Sequence, residues 1–239
     1  VPAKTTLTIP VSCVEQGRWG GYRSNFSSSD NLMFQTARMQ KARAVSTNLD
    51  RSETRYADQH EVWNTLACRA SDCQISSDTG AMGDIFEQQR DQLSQYLHAF
   101  SLPPNATGAV FLLNGKSVGF DLFDHPTTFA QIFPKLIQSY ALDALPHSNS
   151  IAKTEPSTEI SPSKAAQVLL DQTGQCVTKH YRAIGEGTDI RLHDLTLVGG
   201  GLKAYQRLIH LCVFLGNDQT ARQHSAPVDT EFASSFIVD

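Results

Sequence analysis

Cys13, Glu15, Gln16, Arg18 and Trp19 fall within seven residues, in the run Ile9-Pro10-Val11-Ser12-Cys13-Val14-Glu15-Gln16-Gly17-Arg18-Trp19. A thiol close to a guanidinium can ionise and act as a nucleophile, and such a thiol needs a base. His210 is the best-placed candidate, because it alternates within the apolar run Leu208-Ile209-His210-Leu211-Cys212. The competing reading makes Cys13 a small apolar plug and His210 a core histidine held by a hydrogen bond. Glu15 and Arg18, three residues apart, either pair with each other or serve a ligand, with Glu15 as acid or base and Arg18 gripping a phosphate or carboxylate through its planar fork. Trp19 and Trp63 either offer a stacking surface for a base or sugar or belong to the core. Gln59, one helical turn before Trp63, either reads a ligand edge or binds backbone near the first motif. The candidate catalytic residues are therefore Glu15, Cys13 and His210, and the candidate ligand-binding residues are Arg18, Trp19, Gln59 and Trp63.

Other chemistries are poorly served. Asp121 and Asp124 are too few for a metal cage without help from afar, so no metal ligands are assigned, and no cofactor is implied. Cys68-x4-Cys73 lacks the spacing of a zinc knuckle. Gly199-Gly200-Gly201 is not followed by the Lys-Ser/Thr of a phosphate loop and reads as a flexible hairpin turn. Gly-x-Ser-x-Gly and His-Glu-x-x-His are both absent, which removes the commoner hydrolase and zinc-protease readings.

The elements that must position these groups follow from pattern. Residues 4–14 carry β-branched side chains in partial alternation and predict a strand, pushed toward an edge or a bulge by Pro10. Residues 31–49 predict a helix with a ragged apolar stripe, capped by Ser29 or Asp30. Further helices are expected over 56–70, 82–100 and 126–145, the last kinked or split at Pro134. Between Gly108 and Phe123, two apolar strands flank Asn114-Gly115, the dipeptide that best tolerates positive φ at both turn positions, and predict a β-hairpin. Ser161-Pro162 reads as a cap and a first-turn proline for a helix reaching residue 172. Strands at 175–183, 188–197 and 203–215 then make an antiparallel meander. The expected fold class is α+β: an antiparallel sheet built from hairpins and a C-terminal three-stranded meander, with helices packed on it. Residues 1–215 form a single domain with a loop at 146–160, and 216–239 are a polar tail.

Composition narrows the partners. Of the 239 residues, only 18% are charged, and the net charge is -4. That balance argues against nucleic acid, whose phosphates require clustered Lys and Arg. Arg38, Lys41, Arg43, Arg51 and Arg55 come nearest to such a cluster, and they read as a solvated face. No apolar run approaches the about 18 residues that cross a bilayer. Five irregularly spaced cysteines fit a reduced, cytoplasmic chain, a local Cys68–Cys73 disulfide being the alternative. The opening on Val1-Pro2-Ala3, without an initiator Met, predicts a start downstream of the natural one. The pattern leaves the oligomeric state open.

The first motif, together with Asp58-Gln59-x-x-Val62-Trp63, Ser77-x-Thr79-Gly80-Ala81, Gly119-Phe120-Asp121-Leu122-Phe123 and Ser139-Tyr140-Ala141-Leu142-Asp143-Ala144, resembles the ARPP family. Its proteins are named for their association with ADP-ribosylglycohydrolases and rhodanese-like phosphatases, and the resemblance covers roughly residues 4 to 215. It implies a component of prokaryotic conflict systems or of nucleotide-derivative metabolism, inferred from gene neighbours. The expected function is the binding or processing of a small anionic nucleotide-type ligand such as an ADP-ribose derivative. The alternative is a non-catalytic interaction or scaffold module in which the motif residues hold the first strand to the Gln59–Trp63 helix.

Overall fold

Asn114 and Gly115 close a hairpin with φ of 50° and 75°, joining β2 (Gly108–Leu113) to β3 (Lys116–Phe123). Around this hairpin the computed structural model describes residues 4–20, 30–52, 54–148, 161–216 and 235–238, with backbone alone for Trp19, 146–148 and 235–238. The remaining strands of the main sheet are β4 (Thr178–Arg182), β5 (Thr188–His193), β6 (Leu197–Ala204) and β7 (Arg207–Leu215). They join the hairpin in a six-stranded antiparallel sheet of order β2-β3-β7-β6-β5-β4. The chain is α+β, and its C-terminal meander has four strands where pattern predicts three.

The extra strand has a physical origin. Gly199, Gly200 and Gly201 lie inside β6, not in a turn, and at Gly199 and Gly201 the neighbouring strand presses too closely for most side chains. A Cβ at Gly199 would sit 2.7 Å from the Cys212 carbonyl oxygen, and one at Gly201 2.7 Å from that of His210. The real turn is Tyr205-Gln206, with φ of 49° and 60°, residue types that carry no turn signal.

Helices cover both faces of the sheet. On one side lie α1 (Gln35–Ser52), α2 (Gln59–Asp72), α3 (Met82–Gln88), α4 (Arg90–Ala99) and α5 (Pro126–Ser148). The expected 82–100 helix breaks at Gln89, and α5 continues unbroken past Pro134 and three residues beyond its expected end. The other side is covered by α6 (Pro162–Gln175), which starts as expected, with the Ser161 hydroxyl accepting from the Lys164 N–H. Alternation sorts the strands between the two layers: Val198 and Phe214 pack with Met39, Phe129, Leu136 and Tyr140, whereas Phe120, Leu192, Leu197 and Val213 pack with Leu169 of α6. A third apolar cluster, containing Phe34, Leu66, Ile85, Phe86, Leu93 and Leu142, lies within the helical layer.

Helix α1 begins at Gln35, beyond the caps read from sequence; Ser29 lies outside the described residues. Its N-terminus is served from another helix, the Thr36 N–H donating to the Asp143 carboxylate of α5 at 2.8 Å. The first strand, β1, is limited to Leu7–Pro10 and pairs with β8 (Ser235–Val238). Pro10 has no N–H to continue the ladder, and the backbone after it is bonded elsewhere. Of the expected loop at 146–160, residues 146–148 belong to α5 and 149–160 lie outside the described residues. So does most of the expected tail. All five cysteines are free thiols. Among the described residues, no helix is long and apolar enough to cross a membrane.

Candidate functional site

The first motif is a clasp. The Cys13 N–H donates to the Gln59 side-chain oxygen at 2.8 Å, and the Gln59 amide donates back to the Cys13 carbonyl at 2.7 Å. Gln59 thereby stands in for a strand partner, which is why the ladder ends at Pro10. Further along, the Met82 N–H donates to the Val14 carbonyl, the Gly17 N–H donates to Thr79, and Glu15 forms an isolated bridge with Ala81. Arg18 bonds Glu15 at 2.9 Å, and the Thr79 hydroxyl donates to the other Glu15 oxygen at 2.9 Å. These two charged side chains are only 17% and 15% exposed, so most of their hydrogen-bonding capacity is turned inward. The Cys13 thiol donates to the Glu15 carbonyl. Trp63 packs against the helical cluster, its indole edge-on to His60. The side chain of Trp19 lies outside the described residues. Of the residues singled out from sequence, the clasp thus gathers Cys13, Glu15, Arg18 and Gln59 and separates them from His210.

His210 belongs to a different place. The register sets Asp121 of β3 directly opposite Cys212 of β7, Cys212 opposite Gly200 of β6, and Gly200 opposite Arg191 of β5. His210, two residues before Cys212, shares their face. Helix α1 lies over this face and turns Arg38, Lys41, Ala42 and Val45 toward it. The space between them is a cleft of about 580 Å³, well within the range of small-molecule sites. Its lining includes Arg38, Lys41, Arg55, Asp189, Arg191, Gly200, His210 and Cys212, with Leu7, Ile9 and Pro10 of β1 among the apolar residues. Neither Glu15, Arg18, Gln59 nor Trp63 lines it.

At one end of the cleft Asp121 is fully buried and takes three partners. Arg38 donates to its Oδ1 at 2.5 Å, the His210 Nε2 lies 3.2 Å from the same oxygen, and the Tyr140 hydroxyl donates to Oδ2 at 3.2 Å. Burial alone would raise the Asp121 pKa, but the Arg38 charge and the His210 bond outweigh it and hold the carboxyl below its ordinary value. The same surroundings, burial first and the Asp121 charge second, push the Tyr140 hydroxyl and the Cys212 thiol upward. Cys212 spends its proton on the Gly200 carbonyl at 3.3 Å. The His210 side chain remains 35% exposed and packs on Phe123 with the rings tilted and their centroids 4.5 Å apart, while the Arg38 guanidinium sits over Phe214.

The other end is built on Asp189. Arg191 holds its two oxygens at 2.7 and 3.0 Å, and Arg55 adds a third contact at 3.0 Å. One carboxylate thus fixes two guanidinium groups, leaving an excess of positive charge. Lys41, on the same face of α1 as Arg38, forms no ion pair among the described residues, and burial lowers its pKa from the ordinary lysine value. The basic run that sequence assigns to a solvated face therefore turns three of its members, Arg38, Lys41 and Arg55, into the cleft.

A family model described as the ARG and Rhodanese-Phosphatase-superfamily-associated Protein domain, ARPP-1, matches residues 1–214. The chain belongs to this family. No curated protein and no solved structure matches it. The motifs that resemble the ARPP family sort into two structural groups. The first motif, Gln59 and Thr79 make the clasp. Asp121 and Tyr140, bonded to each other, lie buried behind the Arg38 and His210 wall of the cleft, and Ser139 and Asp143, on the same helix as Tyr140, fix the start of α1, Ser139 by donating to the Met33 carbonyl at 2.7 Å.

Sequence reasoning finds His210 but passes over its neighbours in space. Cys212 was within reach, since alternation puts it on the same face. Arg191, Asp189 and Lys41 carry no local signature, because only the strand register and the placement of α1 bring them together.

Proposed function

We propose that the cleft binds a small anionic ligand of the nucleotide type, an ADP-ribose derivative being the leading candidate. Its anionic group lies against Lys41, Arg55 and Arg191, and the bond to be processed lies toward His210. One observation carries this reading: in a chain of net charge -4, the cleft is lined by four cationic side chains, Arg38, Lys41, Arg55 and Arg191, against two acidic ones, Asp189 and Glu186, with Asp121 buried behind Arg38. A concave wall with an excess of one sign focuses the field and concentrates the opposite charge. The arginine forks supply geometry for phosphate oxygens, and Lys41 supplies a cation not already spent on a carboxylate. His210 is the group placed to exchange a proton, with Asp121 orienting its ring. The ARG association in the family name points toward ADP-ribose chemistry by association only, so the class of ligand rests on the charge and the volume.

The test is calorimetric and thermal-shift titration with ADP-ribose, NAD and nucleotides. Lys41→Ala is expected to weaken binding of the responding ligand by about 10-fold or more, the size of one charge-assisted hydrogen bond, with little change in melting temperature. The pH dependence follows from the lowered Lys41 pKa. The cation that holds the anion is lost as pH rises through that value, so affinity falls before the ordinary lysine range near about 10.4 is reached. Lys41→Arg, which stays charged, removes that fall. If no anion shifts the wild type, the site reading fails.

The second reading, a non-catalytic interaction or scaffold module, draws on the clasp. Glu15, Arg18 and Gln59 are engaged with each other and with backbone, as a holding device requires. Absence of any ligand response, with clasp variants that only lose stability, would favour it.

A further inference from the structure

We infer that Asp121, His210 and Cys212 form a binding site for a divalent transition metal ion, zinc by the nature of the donors, at the closed end of the cleft. This deepens the anion-binding reading and rests on it for the role of the ion, though not for its presence; with the ion bound, His210 serves as its ligand in place of exchanging a proton. Asp121 and Asp124 alone make no cage. The sheet register supplies what they lack, by placing Cys212 across from Asp121 and His210 two residues away on the same face. One carboxylate oxygen, one imidazole nitrogen and one sulfur then lie within 4.8 Å of one another. Tetrahedral zinc, with bonds of 2.0 to 2.3 Å, requires donors roughly 3.3–3.8 Å apart. His210 Nε2 and Asp121 Oδ1 are already 3.2 Å apart, so small side-chain rotations close the set.

The donor chemistry is selective. Imidazole and thiolate favour a borderline-soft ion over magnesium or calcium, which take oxygen ligands. The Asp121 carboxylate is itself held in place, by the Tyr140 hydroxyl through Oδ2 and by Arg38 through Oδ1. A carboxylate and a thiolate together neutralise the dication, so with Arg38 beside them the unit keeps one net positive charge, which the bound anion balances. On binding, the Cys212 S–H bond to Gly200 breaks, the sulfur bonds the ion and the proton leaves to solvent. Both His210 and Cys212 line the cleft, so the fourth position faces the cavity. A phosphate or carboxylate oxygen of the bound anion can complete the sphere there, with its remaining charge held by the cationic wall.

The experiment uses the whole chain and the metal alone. Protein stripped with a chelator is titrated with cobalt(II), then challenged with zinc(II). The expected result is one equivalent bound, with a thiolate-to-cobalt charge-transfer band that zinc abolishes. Cys212→Ser should lose the band and bind cobalt at least about 10-fold more weakly, whereas a Cys68→Ser/Cys73→Ser double variant should keep both. His210→Ala, at a partly exposed position, gives an independent loss of affinity should Cys212→Ser fold poorly by its urea midpoint. No stoichiometric uptake, or a band that survives in Cys212→Ser, overturns the site. ADP-ribose binding is read separately on the stripped protein and on Lys41→Ala, so failure of the ion and failure of the anion are told apart.

Discussion

Asp121→Ala is expected to destabilise the protein by about 3–5 kcal/mol, the usual loss when one member of a buried charge pair is removed. Arg38 would keep its charge while losing the carboxylate that compensates it at 2.5 Å, and the Tyr140 hydroxyl would lose its acceptor in the core. For a chain of this size the melting temperature should drop by roughly 6–20 °C. Removing the orphaned charge as well, in Asp121→Ala/Arg38→Met, should restore part of the loss, because an apolar pair of similar bulk avoids the desolvation cost. Urea unfolding of the two variants beside wild type measures both effects. A single-variant loss below about 1 kcal/mol would mean that water reaches Asp121, against the burial described above.

Gln59→Ala carries the second large effect, about 2–4 kcal/mol. Its amide satisfies both the N–H and the carbonyl of Cys13, and each group left unpaired in a partly buried setting costs about 1–3 kcal/mol. Water can recover part of this, since the clasp is not sealed throughout. The variant also separates the two places where the sequence concentrates its chemistry. Gln59 does not line the cleft, so anion affinity measured on the folded fraction should match wild type while the urea midpoint falls. A loss of affinity at unchanged stability would return the first motif to the ligand and displace the clasp reading.

The parts of the fold that sequence made legible are those where one residue type has one job. Asn114-Gly115 announced its turn, Ser161-Pro162 announced a helix start, and the apolar face of the 126–145 helix announced its burial. The parts missed are those where a residue's usual habit is overruled by its neighbours. Three consecutive glycines normally end a strand, yet in β6 the close flanking strand requires two of them, Gly199 and Gly201. Tyr205 and Gln206 turn the chain without any of the residues that favour turning. The site was hidden by a related effect. The ragged stripe of α1 looked like a weak helix signal, but Arg38 and Lys41 interrupt it because this face looks into a polar cleft, with no continuous apolar floor beneath. His210 was legible as an anomaly in an apolar strand. Its partner Asp121 lies 89 positions away and is set beside it only by strand order, which local pattern does not encode.

The three glycines of β6 are not equivalent. At Gly199 and Gly201 an added carbon runs into main-chain carbonyls that cannot yield, but at Gly200 it meets first the Arg191 side chain, at 3.0 Å from Nη1, and that group can swing aside. The floor of the cavity therefore has one adjustable tile. A methyl there nudges an arginine, and a bulkier group shortens the bore from below without touching the frame, so ligand preference can be retuned at this single residue while the sheet that bears it stays intact.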